Sequence, residues 1–203
     1  RFMKPSRFDY VRPADLAGVI ALTQREDIAV KILAGGQSLG PMLNLRLVQP
    51  DLLVDITGIP ELKRVEENAE AIIVGACVTH ADIEDGRVPD VTGGALPGVA
   101  LGIAYRAVRN RGTLGGSLAH ADPSADWVAS LAAIGAEVLL RGPAGSRSLA
   151  IEDFVTGAFE VHDGTGSVVG GHTWGSATAN LFATYVEDGA RVVVPEGGAT
   201  YNR

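Results

Sequence analysis

Short apolar runs separated by helical patterns fill the first third of the chain. Residues 8–11 (FDYV), 29–34 (AVKILA) and 51–56 (DLLVDI) predict three strands. Asp15 precedes an apolar stripe at helical spacing, which predicts a helix that begins there. A second, shorter helical segment is expected around Met42. This order of strand, helix, strand, crossover and strand predicts a small parallel sheet.

From about residue 62 the predicted elements become shorter. Residues 62–65 and 71–74 predict two paired strands, and Thr79 is a suitable N-cap for a short helix. Residues 98–108 carry apolar side chains at helical spacing, so we expect a helix there. The stretch that follows, residues 110–124, is rich in Gly, Ser and Asp and predicts a loop.

The remaining elements are predicted less regularly. Ser124 is expected to cap a helix that carries Trp127 on its apolar side, where the indole suits the core better than a ligand. Residues 136–140 predict a strand and residues 151–159 a helix. Periodicity then weakens, and residues 191–194 predict a lone strand.

Composition narrows the class of protein. The 203 residues are 46% hydrophobic and 20% charged, which is typical of a folded globular chain. A net charge of −7 without a Lys/Arg cluster excludes a typical nucleic-acid binder. Cys77 is the one cysteine, so a disulfide or a cysteine-held metal cluster within the chain is excluded, and we expect it buried. We expect no membrane span and no signal peptide, and therefore a cytoplasmic protein.

A first candidate for ligand binding is the sequence AGGQSL at residues 34–39, directly after a predicted strand. Gly35 and Gly36 allow backbone N–H groups to approach a ligand without an intervening side chain. Successive N–H groups in such a turn form a concave anion site, and the Ser38 hydroxyl and the Gln37 amide add donors. This arrangement suits a pyrophosphate, although a glycine-rich turn that only closes a strand remains an alternative.

A second candidate is the sequence RNRGTLGGS at residues 109–117. Its glycine pair lies between the hydroxyls of Thr113 and Ser117, and Asp126 follows. A carboxylate near a phosphate loop commonly accepts hydrogen bonds from ribose hydroxyls. The alternative role for Asp126 is a favourable charge in the first turn of its helix. Two such loops in one chain favour a ligand with a diphosphate between two larger groups.

A hydrolase is the remote alternative. Residues 36–40 (GQSLG) match the G-x-S-x-G pattern of a nucleophile elbow, with Ser38 as the nucleophile. No HGGG-like segment precedes it, and too few strands are predicted for that fold. The histidines lack the spacing of a metal site, and we expect His80 and His120 to lie in loops or helix caps.

Several stretches together resemble the medium, FAD-binding subunit of bacterial molybdenum hydroxylases, the xanthine dehydrogenase and carbon monoxide dehydrogenase family. They are MKP at residues 3–5, FDY at 8–10, AGGQSLGPMLNLRL at 34–47 and RNRGTLGGSLAHADPSAD at 109–126. The resemblance implies an α+β, two-subdomain FAD-binding fold of the PCMH (vanillyl-alcohol oxidase-like) type, with FAD between the subdomains. The first subdomain would be residues 3–57, a small parallel sheet with helices. The second would be residues 58–160, a mixed or antiparallel sheet with helices.

The resemblance also implies which residues bind FAD. Two loops would hold the pyrophosphate, an aspartate would bind the adenosine side, and a further segment would lie near the flavin. These residues are, in that order, Ile32, Leu33, Ala34, Gly35, Gly36, Gln37, Ser38 and Leu39; Thr113, Leu114, Gly115, Gly116 and Ser117; Asp126; and Ala76 and Thr79. No catalytic side chain and no metal ligand is expected in this chain, because the cofactor carries the chemistry.

The function implied is that of an electron-transfer subunit. A large molybdopterin subunit and a small 2Fe–2S subunit would be its partners, and NAD or another acceptor would receive the electrons. Residues 161–203 do not resemble the family's C-terminal domain, which covers the isoalloxazine ring, and are interpreted as an atypical tail in its place. The alternative is a truncated FAD-binding or assembly module without turnover.

Overall fold

The structure, a computed structural model, describes residues 3–67, 71–162, 168–170 and 191–195. Its first sheet has three parallel strands, β1 (Asp9–Val11), β2 (Val30–Leu33) and β3 (Leu52–Asp55), in the order β1-β3-β2. All four residues of the central strand β3 are buried, as expected for a parallel strand covered on both faces. The small parallel sheet predicted from the sequence is therefore confirmed.

Two helices connect these strands. The first, α1 (Leu16–Thr23), begins where predicted, because the Asp15 carboxylate accepts a hydrogen bond from the Gly18 N–H at 2.8 Å. The second, α2 (Leu39–Asn44), begins directly after the glycine pair that ends β2. Parallel strands need such crossover connections, and the position of α2 leaves the glycine pair at the carboxyl end of the sheet.

A second sheet has five antiparallel strands. They are β4 (Val65–Glu67), β5 (Ala71–Val74), β6 (Glu137–Gly142), β7 (Gly145–Ala150) and β11 (Arg191–Pro195), in the order β4-β5-β11-β6-β7. The strand predicted at residues 191–194 is confirmed, but it is not a lone strand, because Val193 lies opposite Ile73 on one side and Glu137 on the other. Periodicity within a segment cannot reveal partners that are so distant in sequence.

Six further helices and three short strands complete the described elements. The helices are α3 (His80–Glu84), α4 (Ala95–Gly102), α5 (Arg106–Arg109), α6 (Leu114–His120), α7 (Asp126–Ala133) and α8 (Ile151–Phe154), with a 3-10 helix at Pro60–Lys63. The strands β8 (Val155–Gly157), β9 (Glu160–His162) and β10 (Val168–Gly170) form an antiparallel sheet in the order β10-β9-β8. Helices and separate sheets together confirm the α+β class. The subdomain boundaries at 57 and 160, and the tail at 161–203, stay predictions.

The single helix predicted over residues 98–108 is wrong. Helix α4 ends at Gly102, Ala104 has a left-handed φ of 41°, and α5 begins at Arg106. The buried guanidinium of Arg109 stabilises this break, since it donates to the carbonyl oxygens of Ile103 and Ala104 at 3.0 and 3.1 Å.

Three other local predictions also need correction. The loop predicted over residues 110–124 contains helix α6. Ser124 does not cap α7, because Ala125 occupies the N-cap and the Ser124 hydroxyl donates to Asp122 at 2.7 Å instead. The helix predicted over residues 151–159 ends at Phe154, where the chain turns into strand β8.

One continuous cluster of buried side chains joins the parallel sheet to the five-stranded sheet. It extends from Val54 of β3 through Val74 of β5 to Trp127 of α7, and burial of each valine side chain contributes about 1.5–3 kcal/mol. Trp127 is 1% exposed and belongs to this core, as predicted. Cys77 is also buried, and burial raises the pKa of its thiol to about 12. Among the helices of the described residues, none is both long and apolar enough to cross a membrane.

Candidate functional site

The two glycine-rich segments contact each other directly. We name them the first glycine loop, residues 34–39, and the second glycine loop, residues 112–117. A Cβ atom built on Gly35 would lie 2.1 Å from the carbonyl oxygen of Arg111 and 2.7 Å from Cα of Gly112. Real Cβ atoms do not approach so closely. Gly35 is therefore required by the packing of the loops and not only by access to a ligand.

Gly36 is required for a different reason. Its φ of +70° lies in the left-handed region, which glycine adopts without steric cost. Its carbonyl oxygen accepts a hydrogen bond from Gly40 at 2.9 Å, which turns the chain into α2. Within the described residues, the backbone N–H groups of Gly36, Gln37 and Ser38 donate to no acceptor. The first glycine loop thus has successive donors that a ligand can use.

The second glycine loop begins helix α6. The Thr113 hydroxyl accepts a hydrogen bond from the Gly116 N–H at 3.1 Å, and a Cβ on Gly116 would lie only 2.7 Å from that hydroxyl. Gly115 packs onto Ala76, to whose carbonyl oxygen it donates at 3.0 Å. The half-buried Ser117 hydroxyl has no hydrogen-bond partner in the described part of the chain. It is therefore a further available donor.

A cleft of about 320 Å³ lies between the two loops, within the size range of small-molecule sites. Most of the predicted cofactor-binding residues line it: Ile32, Ala34, Gly35, Gly36, Gln37, Ser38, Leu39, Thr113, Gly116 and Ser117. Sequence reasoning did not select the others: Lys31, Met42, Val48, His80, Ile103, Val108, Gly112, Ala119, His120, Asp122 and Ala125. The structure therefore brings the two predicted loops to one cavity.

Six predicted residues lie outside the cleft lining. Leu33, Ala76, Leu114 and Gly115 pack behind the loops. Thr79 and Asp82 form a capping box at the start of α3, in which the Thr79 hydroxyl lies 2.7 Å from the Asp82 carboxylate. Thr79 also pairs with Thr113 through an isolated β-bridge. Asp126 is exposed in the first turn of α7. Of these six, five have contacts that position the loops, whereas Asp126 lies at the surface.

His80 is a buried member of the cleft lining. It is 5% exposed, and the Trp127 indole N–H donates to its Nδ1 atom at 3.1 Å. Burial, assisted by the charge of Arg109, lowers the pKa of His80 to about 4, so the side chain is neutral near pH 7. The placement of His80 in a loop or cap is wrong, because it is the first residue of α3 and packs in the core.

Lys31 and His120 add titratable groups to the same cleft. Burial lowers the pKa of Lys31, on strand β2, to about 8. Burial also lowers the pKa of His120, while the charge of Asp122 opposes that shift. The His120 ring packs at 5.2 Å from that of Phe159. An anionic ligand would favour the charged form of Lys31.

An ion-pair network holds α5 against α3 behind the cleft. Arg109 donates to the Glu84 carboxylate at 2.7 and 3.0 Å, and this contact lowers the pKa of Glu84. Arg106 pairs with Asp85 at 2.6 Å. The network fixes the break between α4 and α5, and with it Ile103 in the cleft lining.

The hydrolase alternative is not supported. In the described residues the Ser38 hydroxyl makes no hydrogen bond to a histidine, and Nδ1 of His80 is already bonded to Trp127. The strand that precedes Ser38 belongs to a three-stranded parallel sheet beside an antiparallel one, not to the single large sheet of an α/β-hydrolase.

Comparison with known proteins gives a family match over most of the chain. Residues 6–171 match the family described as "FAD binding domain in molybdopterin dehydrogenase". The chain is 36% identical over 159 residues to the caffeine dehydrogenase subunit beta of Pseudomonas sp., which covers 78% of this chain and 54% of that protein. It is 37% identical over 157 residues to the carbon monoxide dehydrogenase medium chain of Hydrogenophaga pseudoflava, at 77% and 55% coverage. The chain thus spans about half the length of these relatives.

Solved structures give the same result. Quinoline 2-oxidoreductase from Pseudomonas putida 86 superposes with a TM-score of 0.78 at 37% identity, over 96% of this chain and 61% of that one. Carbon monoxide dehydrogenase from Hydrogenophaga pseudoflava superposes with a TM-score of 0.79 at 32% identity, over 97% and 62%. The fold and the family resemblance predicted from the sequence are therefore confirmed. The chain belongs to the family of FAD-binding domains of molybdopterin dehydrogenases.

Proposed function

We propose that the chain binds FAD in the cleft between the two glycine loops and serves as the electron-transfer subunit of a molybdenum hydroxylase. The observation that carries the proposal is the contact of Gly35 with Gly112, which brings both sets of available donors to one cavity. Neither loop alone surrounds a ligand. Together they provide donors on two sides, as a diphosphate between two larger groups requires.

The chemistry of the donors fits a diphosphate. The N–H groups of Gly36, Gln37 and Ser38 form one side, and the Ser117 hydroxyl lies on the other. Lys31 lies in the same cleft, and a bound phosphate would raise its pKa from about 8 toward the usual value for lysine. Both loops therefore suit an anion although the chain as a whole carries a net charge of −7.

The rest of the cleft supplies apolar surface. Met42, Ile103 and Val108 line it, and such apolar side chains pack favourably against an aromatic ring such as that of a flavin. FAD, when bound, supplies the redox chemistry. The protein residues bind it, orient it and exclude water from it.

The predicted residues outside the lining fall into two groups. We propose that Leu33, Ala76, Thr79, Leu114 and Gly115 act on FAD indirectly, by holding the loops in place. Asp126 stays a proposal for the adenosine side. Its exposed position beside Ala125, which does line the cleft, is compatible with a part of the cofactor that extends out of the cavity.

The proposed partners are a large molybdopterin subunit and a small 2Fe–2S subunit, with NAD or another compound as the electron acceptor. Support comes from the relatives, which are named as the beta subunit or medium chain of dehydrogenases. A cytoplasmic location remains a prediction from the sequence. An FAD-binding or assembly module without turnover is the alternative.

Reconstitution tests the proposed binding. The full chain is incubated with FAD and passed through gel filtration, and the released cofactor is identified by mass spectrometry. Ser117→Ala should weaken FAD binding about tenfold, because a hydroxyl donor to a charged oxygen is lost. Ser148→Ala is the matched control, since the exposed Ser148 hydroxyl bonds to Glu137 and does not line the cleft. A chain that retains no FAD contradicts the proposal.

Co-expression tests the electron-transfer role. The chain is expressed with a large molybdopterin subunit and a small 2Fe–2S subunit of one molybdenum hydroxylase. A stable complex in which bound FAD is reduced on addition of the hydroxylase substrate supports the proposed role. A chain that binds FAD but purifies without either partner supports the module alternative.

A further inference from the structure

One nitrogen of His80 is used in the core and the other is not. The Trp127 indole can only donate, so the Nδ1 atom that it contacts at 3.1 Å must present a lone pair. A neutral imidazole then carries its proton on Nε2. The contact with Trp127 therefore fixes His80 in the tautomer whose Nε2 is a donor.

The Nε2 atom is open to the cleft. His80 lines the cleft although it is only 5% exposed, and in the described residues Nε2 has no hydrogen-bond partner. Among the described residues, Ser6 Oγ is the one side-chain atom that is fully enclosed and lacks a partner. Nε2 of His80 is therefore not fully enclosed. An acceptor oxygen placed in the cleft would therefore give this N–H group a hydrogen-bond partner.

Gly112 leaves this nitrogen uncovered. A Cβ on Gly112 would lie 2.7 Å from Nε2 of His80, so any other residue would occupy the space beside the donor. The backbone N–H of His80 donates to the Gly112 carbonyl oxygen at 3.0 Å, which fixes the ring beneath the junction of the two glycine loops. The donor thus lies where the proposed diphosphate site is formed.

The surroundings keep His80 neutral. Trp127 and the core bury the ring, the guanidinium of Arg109 disfavours a second positive charge, and the pKa falls to about 4. The imidazole therefore stays neutral throughout the neutral pH range, with its proton on Nε2. It can bond to a charged or an uncharged oxygen without a change of its own protonation.

We propose that His80 is a further FAD-binding residue, whose Nε2–H donates to an oxygen of the bound cofactor at the junction of the glycine loops. Trp127 is then a positioning residue that acts through His80. The inference rests on the proposed function, since it takes the cleft between the loops as the FAD site. It adds a side chain that neither glycine motif contains.

Nuclear magnetic resonance of the full chain with ¹⁵N-labelled histidine tests the proposal. His80→Gln assigns the signals by their loss. Without FAD, Nδ1 should show the shift of an unprotonated nitrogen and Nε2 that of a protonated one. Addition of FAD should move the Nε2–H proton downfield and slow its exchange with water. The same change with ADP identifies a diphosphate oxygen as the acceptor, whereas the change with riboflavin identifies an oxygen of the flavin half.

Three variants separate binding from packing. His80→Phe keeps the buried ring without the donor and should weaken FAD binding about tenfold, whereas His80→Gln keeps a donor and should weaken it less. Trp127→Phe removes the indole N–H, so both tautomers should appear and FAD affinity should fall several-fold. Apart from the assignment, which uses His80→Gln, the wild-type spectra do not depend on how well any variant folds.

The outcomes distinguish this inference from the proposed function. If FAD binds, as its absorbance shows, and the His80 signals stay unchanged, the role of His80 is wrong and the cleft assignment stands. If the chain binds no FAD, the cleft assignment is wrong and the role of His80 falls with it.

Discussion

The backbone of Gly35 lies directly against that of Gly112, so that a Cβ on Gly35 would come within 2.7 Å of the Gly112 Cα atom. This contact joins the carboxyl end of the parallel sheet to the start of α6. Each loop alone is an ordinary glycine-rich turn. Their contact creates the cleft, and the stability of the contact should therefore control FAD binding.

Gly35→Ala should damage both stability and binding. The added methyl group would lie 2.1 Å from the Arg111 carbonyl oxygen, which forces the loops apart at a cost of about 1–3 kcal/mol. Thermal unfolding followed by circular dichroism and titration with FAD measure the two effects, and affinity should fall more than tenfold. Gly40→Ala is the matched control, because a Cβ at Gly40 meets nothing within 4 Å. Equal behaviour of the two variants would show that the loop contact is unimportant.

Thr113→Val should destabilise the second glycine loop. The variant keeps the side-chain shape but removes the oxygen that accepts from the Gly116 N–H at 3.1 Å, and loss of such an N-cap costs about 1 kcal/mol. Urea unfolding measures the change in the free energy of unfolding. Thr113→Ser retains the hydroxyl and should stay close to the wild type. If the serine and valine variants lose the same stability, the cap is not what stabilises α6.

The stability of the chain should depend on the protonation of His80. Its pKa is lowered from 6.5 to about 4 in the folded chain, mainly by burial, so between these values the unfolded state binds more protons. The free energy of unfolding should be highest above pH 6.5 and fall by up to about 1.4 kcal/mol for each pH unit below it. Melting temperatures at pH 6.5 and 5 measure this slope. His80→Gln should flatten it, and an unchanged slope would place the pH dependence elsewhere, for example on His120.

Strand β11 should be necessary for the five-stranded sheet. Val193→Pro removes a backbone donor from a strand paired on both sides, which should cost about 1–3 kcal/mol. Val168→Pro is the comparison, since among the described strands β10 pairs with β9 alone and lies at the edge of its sheet. Chemical unfolding of both variants gives the two costs. A larger loss in Val168→Pro would contradict the central position of β11.

Local signals predicted the elements that depend on local contacts. Asp15 and Thr79 each cap a helix through a side-chain oxygen, and those helices begin where the sequence predicts. The apolar runs at residues 29–34 and 51–56 likewise contain the strands β2 and β3 that they predict. Such elements depend on residues within a few positions of one another, which a single sequence shows directly.

Distant contacts explain what the sequence alone missed. Helix α6 carries a glycine pair that normally predicts a loop, but it forms because Leu114 and Leu118 are buried and Gly115 packs on Ala76. His80 was expected at a cap because its hydrogen-bond partner, Trp127, lies far along the chain. Both glycine loops were identified from the sequence, but their mutual contact required the fold.

Titration of the full chain with FAD and with FMN is the most direct test of the central claim. Both compounds carry the same flavin ring, and FMN lacks the diphosphate and the adenosine. If the contact between the glycine loops forms a diphosphate site, FAD should bind at least about tenfold more tightly than FMN, a difference of about 1.4 kcal/mol, and ADP should compete with it. Equal affinities for FAD and FMN, without competition by ADP, would contradict the account.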